Sequence, residues 1–356
     1  MSTLTIEAGY PTKIEDHPNA DRMKVATWKG WACCVGLTMT TDTLCVYLQP
    51  DALLTHELAE TLGVTPYLKK LGKDYPEREK WAGRISVANL RSVKSYGLLT
   101  PVRDEWLPHL DNLQEFLDIG KYDPPEKVTA GDSERDTVYF HKYTNIENLR
   151  NYPDTFMEGE TVIVTEKIHG TNARVGYCPE SDGSDWKWMA GSHGVRRREV
   201  LPESDKVSLY WQPFQWHPRL KEMIEAIHVK YDCASVIVFG EIFGSGVQDL
   251  AYGLKNSEKQ FRAFDISVNG EYIDYGELEN WCVKFDIPRV PMLYYGRFFW
   301  EVVEEMAEGN TIFPTDQIRE GVVIRPEKEV ATLQGRKIRK MIGFGYLNRK
   351  GGTENH

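Results

Sequence analysis

"VIVTEKIHGTNARVG", residues 162–176, is the stretch from which the fold is read. An alternating apolar run ends on Glu166-Lys167, a His-Gly-Thr-Asn turn follows, and a second alternating stretch leaves it. That pattern predicts two strands joined at a break. The lysine at the break has a plain reading, a solvated side chain on a hairpin, and a chemical one, a nucleophile. An unperturbed lysine, with a pKa near ~10.4, is a poor nucleophile at neutral pH. Partial burial and neighbouring cations lower that value and free the amine for covalent chemistry. Gly170, three residues on, lets backbone approach a ligand closely. K-x-H-G is too short a pattern to choose between the two readings by itself.

Four later stretches bear on the choice. In "VFGEIFG" (238–244), Glu241 follows an apolar strand, where a carboxylate can accept from a ribose hydroxyl or reach a metal; an ordinary strand-end charge is the plain alternative. "RAFDI" (262–266) offers Phe264 for stacking on a base, against ordinary core packing. "EGVVIRP" (320–326) sets Glu320 and Arg325 at opposite ends of a strand, and the carboxylate could hold Mg²⁺ or orient a lysine amine. "GRKIRKMIG" (335–343) brings Lys337, Arg339 and Lys340 near the end of a sheet, suited to triphosphate charge or to a solvated edge strand. No one stretch decides. Their order does: lysine, glutamate, aromatic, Glu-Gly and paired cations, each on a strand.

The 356 residues suggest two domains, and 41% hydrophobic with 27% charged residues is an ordinary globular composition. Residues 1–125 read as short strands ("KVATWKG", "CCVGLTM", "TLCVYLQP", "RISVANL") around one helix, "THELAETLGV". That spacing suggests a small Greek-key barrel such as an OB-fold. "KYDPPEKVTAGDSERD" (121–136) is the linker candidate, with 126–140 set as its bounds. From 141 to 350, strands dominate with helices at "PRLKEMIEAIHVK" and "YGELENWCVKF", which predicts an α+β domain of mainly antiparallel sheet. Residues 351–356 read as a tail. No apolar run reaches the ~18 residues of a membrane span, and the six cysteines form no C-x-x-C pair. An intracellular, cytoplasmic protein with reduced thiols and no membrane partner is expected. The formal charge of −10 argues against nonspecific coating of nucleic acid. Basic clusters at Arg196–Arg198, Arg336–Lys340 and Arg349-Lys350 are nonetheless local.

The order of the motifs resembles the covalent nucleotidyltransferase superfamily of ATP-dependent ligases and RNA capping enzymes. "TEKIHGTN" resembles the nucleophile motif of nick-sealing RNA ligases, and "FMEGETVIVTEKIHGTN" (156–172) extends the match. "RISVANLRSVKSYGLLTPV" (84–102) resembles a stretch of RNA ligases that carry an OB domain ahead of the catalytic one. "HPNADRM" (17–23) is similar to the start of OB-type RNA-binding modules. The resemblance implies an OB-like barrel followed by a nucleotidyltransferase domain with an ATP-grasp-like antiparallel sheet. It implies ATP as substrate, Mg²⁺ or Mn²⁺ as metal, and a monomer acting on RNA or an RNA/DNA nicked duplex.

By that resemblance, Lys167 is adenylated, with Ile168 beside the nucleotide and Glu166 on the adenine edge. Asn172 lies near phosphates and metal waters, and Arg196 or Arg197 supplies a basic motif. Glu241 binds the ribose, Phe264 stacks on adenine, Glu320 assists lysine attack through Mg²⁺, and Glu241 and Glu320 are the metal ligands. The last motif departs from the family's Lys-x-Lys, because this chain has Lys337-Ile338-Arg339-Lys340. Arginine presents a planar fork and keeps its proton, so Lys337, Arg339 and Lys340 all stay candidates for the α-phosphate contact. A capping-type guanylyltransferase, a DNA ligase with the same core, and a noncatalytic RNA-binding protein are the alternatives. The joint presence of Lys167, Glu241 and Glu320 counts against the last.

Overall fold

A computed structural model describes residues 4–123, 131–180, 185–202, 204–332 and 335–349. The chain divides into two compact units, one built from Met1–Pro125 with Arg150–Pro153, the other from Glu126–Leu149 with Asp154–Glu354. Both mix strands with few helices, and the molecule is mainly sheet.

In the first unit, strands Glu7–Gly9, Cys45–Leu48 and Leu98–Pro101 form one sheet, and Lys13–Asp16, Lys24–Trp28 and Trp31–Val35 a second. A third holds Ala52–Thr55, Trp81–Arg84 and Gly120–Lys121, and Ala88–Leu90 pairs with Val93–Ser95 in a hairpin. Val46, Leu48, Leu54, Ile85 and Trp106 are buried in their shared core. Helix His56–Thr61 is capped by Thr55, whose hydroxyl accepts from the Leu58 amide. Among the described residues these strands form separate sheets, and no pairing closes them into the expected barrel.

The second unit carries two larger sheets. The seven-stranded sheet runs in the order Ser133–Glu134, Arg196–Arg197, Trp186–Ser192, Thr171–Pro179, Val236–Gly244, Lys259–Val268, Glu271–Tyr272. Strand alternation splits it into two faces. Ala173, Val175, Val238 and Ala263 pack beneath helices Arg219–Tyr231 and Tyr275–Phe285, through Met223, Ile227, Leu278 and Cys282. The opposite face carries Cys178, Met189, Ile237 and Phe239 against Phe140 and Tyr143. Residues 131–140, expected within a linker, are thus woven into this unit: Glu134 pairs with Arg196 and Phe140 is fully buried. Residues 124–130 and the 351–356 tail lie outside the described residues.

The five-stranded sheet runs Glu147–Asn148, Arg339–Ile342, Gly321–Pro326, Thr161–Lys167, Met292–Arg297. Its Val162, Val164, Val322, Ile324 and Met341 pack under helix Trp300–Ala307. The other face turns to the larger sheet. Ile163 of that face belongs to the larger core, and Arg325 pairs with Asp265 at 3.3 Å.

Asp265 ties the two sheets together. Fully buried, it accepts from Tyr143 Oη at 2.9 Å and from Arg336 at 2.8 Å, and Glu329 joins both arginines. Burial pushes its carboxyl up, but Arg325 and Arg336 more than offset that and hold it below the ordinary aspartate range. Asp265→Asn takes a buried carboxylate from two buried guanidinium groups and leaves them Glu329, so stability is expected to fall by about 3–5 kcal/mol. A carboxyl held low in the folded state stabilises above its unfolded pKa and loses that contribution as pH falls through the folded value. Urea midpoints for the two proteins should therefore differ at neutral pH and converge only in acid.

Candidate active site

Lys167 is the last residue of strand Thr161–Lys167, and the cross-strand register fixes what shares its face. Lys167 lies opposite Gly321, which lies opposite Ile342; Thr165, Val323 and Lys340 form the next row along the same face. Residues directly opposite in an antiparallel pair project to one side. Lys167 and Lys340 therefore point to the face turned toward the larger sheet. Glu166, one residue earlier, points to the other.

The Lys167 ammonium forms an ion pair with Glu320, Nζ lying 2.6 Å from Oε1, with Glu320 fully buried and the lysine side chain 23% exposed. Glu320 stands immediately before strand Gly321–Pro326, so the strand pairing that aligns Lys167 with Gly321 also brings the carboxylate to the amine. Glu241 completes the cluster from the larger sheet. It accepts from the Gly170 amide and feels both Lys167 and Glu320. Burial, the largest influence, and the Glu320 charge raise its carboxyl against the pull of Lys167, to about 8. Asn172 sits opposite Glu241 in the ladder, and its Oδ1 is buried without a hydrogen-bond partner among the described residues.

The turn between the strands is held by close backbone approach. A Cβ at Gly170 would lie 2.2 Å from the Ile242 carbonyl oxygen and 3.0 Å from Glu241 Cγ. Glycine thus lets the turn settle onto the strand that carries Glu241, and a protein backbone occupies the space the sequence reading gave to a ligand.

His169 is the residue of this turn that the sequence reading left without a role. It is buried, with Nε2 2.6 Å from Asp249 Oδ1 and Nδ1 3.1 Å from Glu320 Oε2, and its amide donates to Tyr252 Oη at 2.6 Å. Tyr346 Oη also lies 3.1 Å from Nδ1. Asp249 follows an exposed turn with no motif around it, so nothing local marks it in the sequence.

The other expected site residues have their own surroundings. The Glu166 carboxylate is not brought to Lys167: it accepts from the Ile312 amide at 3.2 Å and from Thr311 Oγ1, with Arg319 at 3.8 Å. Burial raises its carboxyl. The reason is pleat alternation, which sends neighbours to opposite faces. Ile168 is buried. Phe264 falls at an irregularity in the pairing of Val236–Gly244 with Lys259–Val268 and stacks edge-on against Tyr143 at 4.9 Å, on the face that carries Phe239.

Arg196 is committed to two carboxylates. It forks onto Glu180 at 3.0 Å for both bonds, and its Nε lies 3.0 Å from Glu134. Arg197 lies on the helix-covered face, 5.7 Å over the Tyr210 ring.

The three candidate cations separate in the same way. Lys337 donates to both Glu160 oxygens, at 2.6 and 2.8 Å. Glu160 precedes Lys167 by seven positions along an extended strand, about 20 Å, so Lys337 is not part of the Lys167 cluster. Arg339 lies opposite Ile324 on the helix side, donating to Thr155 Oγ1 at 3.0 Å and to two backbone carbonyls. Lys340 alone of the three shares the Lys167 face, because the strand Arg339–Ile342 begins after Ile338 and fixes the alternation.

A lysine within reach of one buried carboxylate and beside a second can shed its proton locally and act as a nucleophile. Two carboxylates and an unmatched amide oxygen are also hard oxygen donors suited to Mg²⁺ or Mn²⁺. Among the described residues no cluster of three His, Cys, Asp or Glu side chains could hold a metal by protein ligands alone.

Known proteins share this fold. Among solved structures, a Naegleria gruberi RNA ligase R4a mutant without ligand matches with a TM-score of 0.79 at 20% identity, covering 98% of this chain and 99% of that one. A mutant of Naegleria gruberi RNA ligase with ATP and Mn matches equally, with a TM-score of 0.79 at 20% identity over 98% and 99% of the two chains. The same organism's RNA ligase with pyrophosphate gives 0.73 at 21% identity over 96% and 97%. At such identity the likeness is one of fold. None of the curated protein sequences matches the chain. The RNA ligase family model matches residues 160–342, more than half of the chain and all of the strands that carry Lys167, Glu241 and Glu320. The chain belongs to the RNA ligase family.

Proposed function

We propose that this RNA ligase is ATP-dependent and works through a covalent Lys167–AMP, with Glu320 and Glu241 as the carboxylates that serve it. The 2.6 Å contact between the Lys167 amine and Glu320 carries the reading, because it gives the ammonium a buried acceptor for the proton it must lose. The Lys167 nitrogen attacks the α-phosphorus of ATP, the bond to the bridging oxygen breaks, and pyrophosphate leaves with the electron pair. The 5′-phosphate of a nucleic acid then takes the AMP from the lysine, which recovers its proton. Attack of a 3′-hydroxyl on the activated 5′-phosphorus joins the ends and releases AMP. The Naegleria relatives with ATP, Mn and pyrophosphate support this substrate and product set.

Glu241, Glu320 and the unmatched Asn172 oxygen are the groups that would hold Mg²⁺ or Mn²⁺. Glu241 is raised to about 8 beside Glu320, a carboxyl pair that a divalent cation would relieve. When bound, the cation supplies charge neutralisation for the phosphates. Lys340 supplies a phosphate contact from the Lys167 face, and Phe264 is assigned to the adenine ring. One copy carries every group the first step needs, so a monomer suffices. The N-terminal unit is assigned as an OB-type module that grips nucleic acid beside a nick, in keeping with its short strands and its "HPNADRM" start. Among the described residues no helix is long and apolar enough to cross a membrane, and all six cysteines are unpaired, as in a reducing, intracellular compartment.

Sealing of nicked duplexes tests the reading, with ATP against GTP and each strand end switched between RNA and DNA. ATP-dependent joining at an RNA 3′-hydroxyl is expected; joining with GTP in place of ATP, or binding without joining, contradicts it. The register adds a sharper expectation. Lys340→Ala should lower the rate of AMP transfer to the enzyme by about 10²-fold or more, as loss of a charge-stabilising donor does. Lys337→Ala should leave that rate unchanged and cost ~1 kcal/mol or less, since its partly exposed ion pair with Glu160 is screened by solvent. Rates of ³²P-AMP transfer and melting curves on both variants separate the two.

A further inference from the structure

The carboxylate that receives Lys167 is itself held by a chain of groups, and the chain ends on a cation that the first step does not use. Glu320 gives one oxygen to Lys167 and the other to His169 Nδ1. The far nitrogen of His169 meets Asp249 at 2.6 Å. Asp249 is gripped by Arg349, whose NH2 lies 3.1 Å from Oδ1 while NH1 donates to Oδ2. The same guanidinium stands 4.1 Å over the ring of Tyr346, and Tyr346 Oη is the other group at His169 Nδ1. Arg349 thus touches two of the three partners of the histidine ring, Asp249 and Tyr346, without touching the histidine, Glu320 or Lys167 in any contact described above.

The segment that supplies these groups is itself fixed. Helix Phe344–Asn348 follows Gly343, and the Glu308 carboxylate accepts from the amides of Phe344 and of Gly345, the latter at 2.9 Å. Tyr346 is fully buried. A Cβ at Gly343 would lie 2.4 Å from the Ala307 carbonyl oxygen, so the helix starts against the end of helix Trp300–Ala307. Arg349 leaves this anchored turn with its side chain 19% exposed, against 52% for Asp249. Asp249, on the exposed loop after Val236–Gly244, has no secondary structure of its own to hold it, so the two-bond grip of Arg349 fixes its carboxylate against His169.

We infer that Arg349 and Asp249 act as one positioning unit for the first step, setting His169 and through it the Glu320 carboxylate that faces Lys167. This rests on the reading of Lys167 as the nucleophile. A misplaced acceptor slows nucleophilic attack without weakening ATP binding, whereas an arginine that held phosphate would chiefly change KM. Sealing of ends that already carry AMP does not need the lysine to attack and should not need the pair.

The test uses the full chain with Mg²⁺ and ATP, comparing Arg349→Ala, Arg349→Lys, Asp249→Asn and the Arg349→Ala/Asp249→Asn double variant. Expected is a fall of about 10-fold or more in the rate of AMP transfer to the enzyme at saturating ATP, with KM for ATP within about 2-fold. The double variant should fall no further than the worse single one, the mark of a coupled pair. Arg349→Lys keeps the charge but loses the fork, so it should lie between Arg349→Ala and the unaltered protein. Joining of a pre-adenylylated 5′ end should stay within about 2-fold throughout. AMP transfer at the unaltered rate in Arg349→Ala or Asp249→Asn, an additive double variant, or equal losses on the pre-adenylylated end overturns the inference. If the unaltered protein takes up no AMP, the nucleophile reading itself fails, which is a different result from any of these.

Discussion

Lys167→Ala is expected to abolish joining of 5′-phosphate ends, by about 10⁴-fold or more, and to leave the fold intact. Removing a covalent nucleophile costs that much because nothing else in the site can form the intermediate. Its side chain is part-exposed and pairs with one carboxylate, so truncation opens no large cavity. The buried Glu320 loses its cation, yet keeps the bond from His169. Ends that arrive already adenylylated bypass the missing step and should still be joined at a measurable rate. A variant that lost both activities together would show that Lys167 supports the site as a whole, not the first step.

Gly170→Ala is the second large effect, and it acts through backbone. The added carbon meets the Ile242 carbonyl at 2.2 Å, a contact that no rotamer relieves because the obstacle is main chain. Either the turn lifts from strand Val236–Gly244 or that strand shifts, and Glu241 moves in both cases. Overpacking of this kind should cost on the order of 3 kcal/mol. An ångström of displacement at a reacting centre should remove about 10²-fold of activity on top. Calorimetry together with the rate of AMP transfer checks both. A variant of unchanged melting temperature and full activity would mean that the turn has room the structure does not give it.

How much of this was legible in the sequence follows from what each feature depends on. "VIVTEK", "SVIVFGEIF" and "GVVIRP" announce themselves through apolar runs marked by a charge, and all three form strands: Lys167, Glu241 and Glu320, just ahead of the third strand, come together, while Arg325 at its far end binds Asp265. The helices "PRLKEMIEAIHVK" and "YGELENWCVKF" were equally plain from their 3.6-residue pattern. The choice among Lys337, Arg339 and Lys340 was not legible, because it turns on which residue of "RKIRK" opposes Val323, a fact of pairing register. Arg196 looked free for a ligand because its partners, Glu134 and Glu180, lie far off in the chain. The resemblance puts Glu166 on the adenine edge, and nothing in the sequence foretells that its carboxylate meets Thr311 and the Ile312 amide on the face opposite Lys167. Asp249 had no local signal; only the fold brings it to His169.

The most direct test is mass spectrometry of the pure protein after incubation with ATP and Mg²⁺, followed by peptide mapping. The peptide that contains Lys167 should carry one AMP, released again when pyrophosphate is added. An unmodified protein, or AMP attached at another residue, would contradict the assignment of Lys167 as the nucleophile.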